Sequence, residues 1–363
     1  MSNFKDLTKD QKDHAFALHR EAIIIDASQV GYIDYVGEDL WVDDLLAGGI
    51  TASNVTVCMQ HNFGDALREI KSYYNWAKRN KDKALIAKSA EDITHAKKEG
   101  KHAVIFGPQN SQFLEGTLDF LEIAYDYGVR VIQLTYNYRN SAGDGCSEKN
   151  QSGLSNYGFD LVEEMNKLGV LIDLSHTGDP SSMDAIEHSK DPVSFTHTLP
   201  RASTPRELSD FAKWNNKYMF YGGWTDYALR RAKTDEQIKA CAEKGGVIGI
   251  TPFFAKKPGK STLTDDILDQ IDYTVDLVGA KHVGFGSDVD FNSTLDRVAY
   301  ISQHPENVDK TYFPALDKDW GYGWLRYMPN LSMGLVARGY SDEEVKGIIG
   351  ENFYNLFKRV WRG

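Results

Sequence analysis

Two histidines and one aspartate carry the first chemical signal in this chain. His176 closes the run GVLIDLSH, His197 closes PVSFTH, and Asp288 closes KHVGFGSD. Imidazole nitrogen and carboxylate oxygen suit Zn²⁺ or a similar divalent ion. A water held among such groups is activated for attack on a carbonyl. Each histidine alone is explained by a hydrogen bond to a loop carbonyl. Two on successive strand ends, with an acid opposite, favour a shared metal or water.

That convergence needs a scaffold that gathers distant strand ends. Eight short runs, apolar on both faces, recur: 22–26, 50–57, 102–110, 129–137, 169–176, 192–197, 245–251 and 281–288. Such runs read as buried parallel strands. The segments between them carry helical periodicity. GTLDFLEIAYDYG places Leu118, Leu121, Ala124 and Tyr125 on one face with Gly128 as a stop, and NYGFDLVEEMNKLG ends similarly at Gly169. Thr234 with Gln237 forms a capping box before another helix. Alternating strands and helices predict an α/β fold, a (β/α)8 TIM barrel, with an open doubly wound sheet as the competing arrangement. Residues 1–363 read as one domain, with long insertions at 199–233 and 291–330 at the face where barrel sites are built. The segment SDEEVKGIIGENFYNLFKRVW reads as one or two amphipathic helices on the barrel wall.

Composition narrows the partners. With 41 Lys+Arg against 52 Asp+Glu, the net charge of −11 disfavours a nucleic-acid backbone partner. No apolar run reaches the roughly 20 residues of a membrane span. Three scattered cysteines, Cys58, Cys146 and Cys241, fit a reducing compartment, and a cytoplasmic protein acting on a small molecule is expected.

From about Lys101 to Val360 the chain resembles the renal (membrane) dipeptidase family of metallopeptidases. The stretches that carry the likeness are GVLIDLSHTG, VSFTHTLPRA, RRAKTDEQIKACAEKGGVIGI, VGAKHVGFGSDVD and EEVKGIIGENFYNLFKRV, with YGVRVIQLTYN around the fourth strand. The resemblance implies a (β/α)8 barrel with two zinc ions bridged by a glutamate, and hydrolysis of dipeptides or related amides. By motif, His176 and His197 fall on the histidines of the second metal site. Asp288 falls on the aspartate that handles the proton of the attacking water and leaving amine, and Arg231 on the arginine that grips the substrate carboxylate. A homodimer is also an expectation of the resemblance.

The departures from that pattern are concentrated. Ser28 and Val30 stand where a histidine and an aspartate bind the first zinc, Gln109 stands at the bridging glutamate, and Tyr136 at a histidine that polarises the substrate carbonyl. Without the two carboxylates, a second divalent ion would be strongly repelled. A single ion on His176 and His197, with Asp288 or the Gln109 oxygen as a further ligand, is therefore expected. Tyr136 is placed to donate to a developing oxyanion, and Gln109 and Asn137 to contact substrate. A bacterial branch of dipeptidases or amidohydrolases in the same family lacks this first-site motif too. The alternatives are a metal-free binding protein or pseudoenzyme, and a lyase or isomerase using Asp288 and Tyr136 as an acid–base pair.

Other features are weaker. Trp320, Tyr322, Trp324 and Tyr327 in DKDWGYGWLRYMPN suit a betaine-like cation, or else lid packing or a subunit contact. Cys146 lies in a loop with no nearby histidine and is assigned no role, and the glycines of GFGSD read as close-packing positions in the eighth strand.

Overall fold

The computed structural model describes residues 7–30, 38–206, 224–252, 255, 263–290 and 325–362. Helix α1 (Lys9–Glu21) precedes β1 (Ile25–Val30), followed by α2 (Glu38–Ala47), β2 (Ala52–Thr56), α3 (Phe63–Arg79), β3 (Ala84–Ile86), α4 (Ala90–Glu99) and β4 (His102–Phe106). Then come α5 (Asp119–Asp126), β5 (Val131–Gln133), α6 (Asn156–Leu168), β6 (Leu171–Asp173), α7 (Asp179–His188) and β7 (Ser194–Thr198). The described chain ends with α8 (Trp224–Arg231), α9 (Asp235–Glu243), β8 (Val247–Ile250), α10 (Leu263–Val278), β9 (Val283–Phe285), β10 (Val289–Asp290), α11 (Pro329–Ala337), α12 (Asp342–Lys346) and α13 (Asn352–Val360).

All eight expected runs contain strands. They pair in parallel as two sheets, β10-β1-β2-β4-β3 and β5-β6-β7-β8-β9. One junction is a parallel bridge between Phe106 and Val129. At the other, a single stretch of chain pairs with β8 through β9 and with β1 through β10, and the Asp288 N–H donates to the Ser28 carbonyl at 2.8 Å. The strands thus form a ring in sequence order, the (β/α)8 barrel. The short strand β3 was not expected; it wedges beside the start of β4, and the Arg130 Nε donates to Lys88 O behind it.

Local signals are realised. Thr234 and Gln237 make the capping box, and Gly128 and Gly169 take positive φ of 101° and 79° where α5 and α6 stop. The C-terminal segment does more than line the wall. Phe353, Leu356 and Phe357 of α13 pack with Ile25, Ala27, Ala52, Ile105, Val131, Leu171 and Val247, the inward-facing residues near the strand beginnings. This helix is the floor of the barrel. Among the described residues no helix is long and apolar enough to cross a membrane.

Two buried histidines away from the mouth set an acid limit. His102 on β4 donates from Nδ1 to the Ile50 carbonyl, and His19 bridges Ser332 and Gly48; burial lowers each to about 4. The unfolded chain therefore binds more protons below pH 6.5, and stability present above that value is lost as pH falls toward 4. Buried Asp26, raised by burial to about 6, works the other way, since protonation relieves its cost between about 6 and 3.8. Two groups outweigh one, and each is worth on the order of 3 kcal/mol. The melting temperature is expected to fall from pH 6.5 to 4.5, and His102→Asn, which keeps a donor for Ile50, to flatten that slope.

Candidate active site at the C-terminal mouth of the barrel

The mouth is built where the regular strands break step. Between β7 and β8 the register runs Phe195 to Ile248 and then Thr198 to Ile250, so β7 carries one extra residue. A bulge of this kind re-aims a side chain, and here it sits at Thr196 and His197. A matching irregularity in β1, between Asp26 and Gln29, accompanies Ser28, whose Oγ accepts from Gln109 Nε2 at 3.1 Å. Gly286, opposite the first bulge, has no room for a side chain: a Cβ there would lie 2.1 Å from the Thr196 oxygen and 3.3 Å from His197 Cβ. The close-packing reading of this GFGSD glycine holds.

Hydrogen bonds fix both imidazoles. The Asp173 carboxylate accepts from the Ser175 and Thr196 N–H groups, from Ser175 Oγ (2.6 Å) and from Thr196 Oγ1 (2.7 Å). With its own proton committed to Asp173, Thr196 Oγ1 accepts from His197 Nδ1 at 2.8 Å. His176 Nδ1 donates to Asn137 Oδ1 at 2.7 Å, and the Tyr227 hydroxyl donates to the same oxygen at 3.0 Å. Both protons therefore sit on Nδ1, and each Nε2 keeps a lone pair. These two Nε2 atoms are buried and have no hydrogen-bond partner.

The rings stand 5.2 Å apart, centroid to centroid. Both imidazoles are held well below their ordinary pKa, first by burial and then by the Arg231 guanidinium, with Lys233 adding to it. Neutral imidazoles with outward lone pairs are what a metal ligand requires. Asp288 Oδ1 lies 3.7 Å from His197 Nε2. Its backbone occupies the left-handed region, φ 53°, uncommon for a residue with a side chain and frequent at functional positions. Tyr136 stacks on His176 at 4.2 Å.

The structure thus brings His176, His197, Asp288, Tyr136 and Asn137 together, with Asn137 orienting His176. Arg231 is buried beside them, donating to the carbonyls of Ser175 and His197 at 2.6 Å each. Gln109 sits across the mouth beside Ser28. Among the described residues no group of three or more His, Cys, Asp or Glu side chains is arranged to hold a metal ion; the fit to a divalent ion rests on the two orphaned imidazole nitrogens with the Asp288 carboxylate beside them. Trp320, Tyr322 and Trp324 lie outside the described residues, as does the Tyr327 side chain. Cys146 comes closer than its sequence position suggests, its N–H donating to the His176 carbonyl, but burial pushes its thiol up and away from nucleophilic use.

Tyr227, Lys233, Thr196 and Asp173 went unnoticed in the sequence. Asp173 left a trace, as an acid inside the apolar run VLIDL. Lys233 is fully buried, donates to the Thr177 carbonyl and is lowered by burial to about 7.

Residues 35–210 and 227–306 match the family described as membrane dipeptidase (Peptidase family M19). The chain belongs to this family. Its relatives include an uncharacterized dipeptidase of Schizosaccharomyces pombe, 27% identical over 291 residues, covering 78% of this chain and 59% of the relative. A dipeptidase of Claviceps purpurea is 25% identical over 298 residues, covering 82% and 58%. This chain therefore spans about three fifths of the length of those family members. Among solved structures, an amidohydrolase from Pseudomonas aeruginosa is 30% identical with a TM-score of 0.77, covering 96% of this chain and 99% of that one. A metallo peptidase from Rhodobacter sphaeroides, liganded with a phosphinate mimic of the dipeptide L-Ala-D-Ala, shares the family fold at 17% identity and a TM-score of 0.73, covering 94% and 100%.

Heteronuclear NMR of histidine-labelled protein without metal should show His176 and His197 as neutral, Nδ1-protonated rings at pH 7. Thr196→Val should release the His197 tautomer and leave His176 unchanged. Gly286→Ala should cost about 1–3 kcal/mol, read as a lower unfolding midpoint, because backbone must move to admit the methyl group.

Proposed function

We propose that this protein is a metal-dependent hydrolase of a dipeptide or small amide that works with one divalent ion, zinc being the best match to its ligands. The observation that carries the reading is the pair of buried, neutral, unpartnered Nε2 atoms of His176 and His197 with the Asp288 carboxylate 3.7 Å from one of them. His176 and His197 would hold the ion, with the Asp288 carboxylate at its edge; when bound, the ion supplies Lewis-acid polarisation and a water of lowered pKa.

The remaining steps belong to the chain. Asp288 takes the proton of the attacking water, and after the C–N bond breaks it returns a proton to the leaving amine. Tyr136, fixed against the His176 ring, donates its phenolic hydrogen to the developing oxyanion. Arg231 has two of its five N–H groups' worth of hydrogen bonding committed to backbone carbonyls, which pre-orients the fork; its other N–H groups take the substrate carboxylate. Three buried free cysteines support a reducing, cytoplasmic setting.

Elemental analysis of protein purified without chelator is expected to find about one zinc per chain, falling to a small fraction in His176→Ala and His197→Ala. Asp288→Asn should lower kcat on a susceptible dipeptide by about a hundredfold or more while the protein stays folded. Metal-free protein that still binds a small carboxylate, with no hydrolysis in a dipeptide screen, would instead favour a binding protein.

A further inference from the structure

Around β4 and β5, next to the strand that leads to His176, the barrel holds a second set of orphaned atoms. Gln109 Oε1 and Gln133 Oε1 are buried, at 4% and 0% exposure for their residues, and neither has a hydrogen-bond partner. Their amide nitrogens are already committed. Gln109 Nε2 donates to Ser28 Oγ at 3.1 Å, and Gln133 Nε2 donates to the carbonyls of Gln109 and Thr135 at 2.5 and 2.8 Å. The Gln133 amide is therefore locked with oxygen free and nitrogen used, and Gln109 has the same orientation with its nitrogen on Ser28 Oγ. The two residues are neighbours, since the Gln133 amide lies against the Gln109 backbone and the Gln133 N–H donates to the Pro108 carbonyl.

A buried acceptor without a donor is costly, so this pair is poised for a ligand that brings N–H groups. The cations Arg231 and Lys233 stand beside the histidines, whereas the side chains of Ser28, Gln109 and Gln133 are uncharged, and Gln133 is the register partner of the Asp173 acid across the β5–β6 ladder. A small zwitterion is matched by that asymmetry, with its carboxylate toward Arg231 and its ammonium toward the glutamines.

We propose that Gln109 and Gln133 form a subsite for a primary ammonium group, the free amino terminus of the substrate. This deepens the hydrolase reading and rests on it for orientation, but the subsite has its own chemistry. Amide oxygens accept N–H donors and gain little from a trimethylated nitrogen, which has none. The occupant is thus a primary amine rather than a betaine.

The test is calorimetric titration of the full-length, zinc-supplemented protein with δ-aminovalerate, which keeps a glycyl dipeptide's two charged ends without its amide bond. Its N-trimethyl derivative and plain valerate are the controls. The primary amine is expected to bind at least about tenfold more tightly than either control. Gln133→Met and Gln109→Met should each erase most of that advantage and leave valerate binding unchanged. Two positions are used so that a folding defect in one does not decide the matter. Equal binding of the primary and trimethylated amines, or full amine preference in both folded variants, overturns the subsite and means that the glutamine oxygens are met by water. Zinc content and dipeptide hydrolysis measured on the same preparation separate the two claims. Hydrolysis without amine preference removes the subsite alone, and amine preference without metal or hydrolysis removes the hydrolase reading alone.

Discussion

The Asp173 carboxylate, inside the barrel, organises the side of the mouth where the histidines stand. By accepting from two backbone N–H groups and two hydroxyls on β6 and β7, it ties the ends of those strands together. It also consumes the Thr196 hydrogen, and that single commitment decides which nitrogen of His197 carries a proton. The acid acts without touching any ligand: it sets the polarity of a hydrogen-bond chain whose last atom is a bare imidazole lone pair. Asn137 does the same for His176 through an amide oxygen shared with Tyr227.

Charge reinforces what hydrogen bonding arranges. Arg231 and Lys233 are buried beside the histidines and oppose any positive charge on them. The same cations favour an anionic group arriving from solvent. The mouth is therefore prepared for lone-pair chemistry and for a carboxylate close by, while Ser28 and Gln109 present neutral side chains and the nearby Asp26 carboxylate is committed to Ser287 and Gln29.

Much of this was legible in residue order. The eight runs ending in polar residues, the Thr234 capping box and the stops at Gly128 and Gly169 report directly on local physics, and local physics decided the outcome there. His176, His197 and Asp288 could be read because each terminates an apolar run. β3 escaped notice because Ala84–Ile86 is too short to show a period. The bulges at Ser28 and His197 leave no mark in composition, since a bulge is a relation between two strands and not a property of one. Tyr227 lies in an insertion with no periodic signal, and it matters only because α8 brings it against Asn137. The C-terminal helix was legible as amphipathic, yet which surface it would cover was not, because the target is a ring assembled from many remote segments.

That last placement has a bearing on how the molecule is made. The cylinder has an open end until Phe353, Leu356 and Phe357 arrive, and the first strand waits for β10 as its neighbour. Both closing elements follow, in chain order, the strands they close. Until they are in place the β1 edge and the apolar lining beside it remain exposed, and non-local pairings of this kind are slow to form. Refolding yields that fall with protein concentration are the natural consequence of a vessel whose base and wall come from remote stretches of chain.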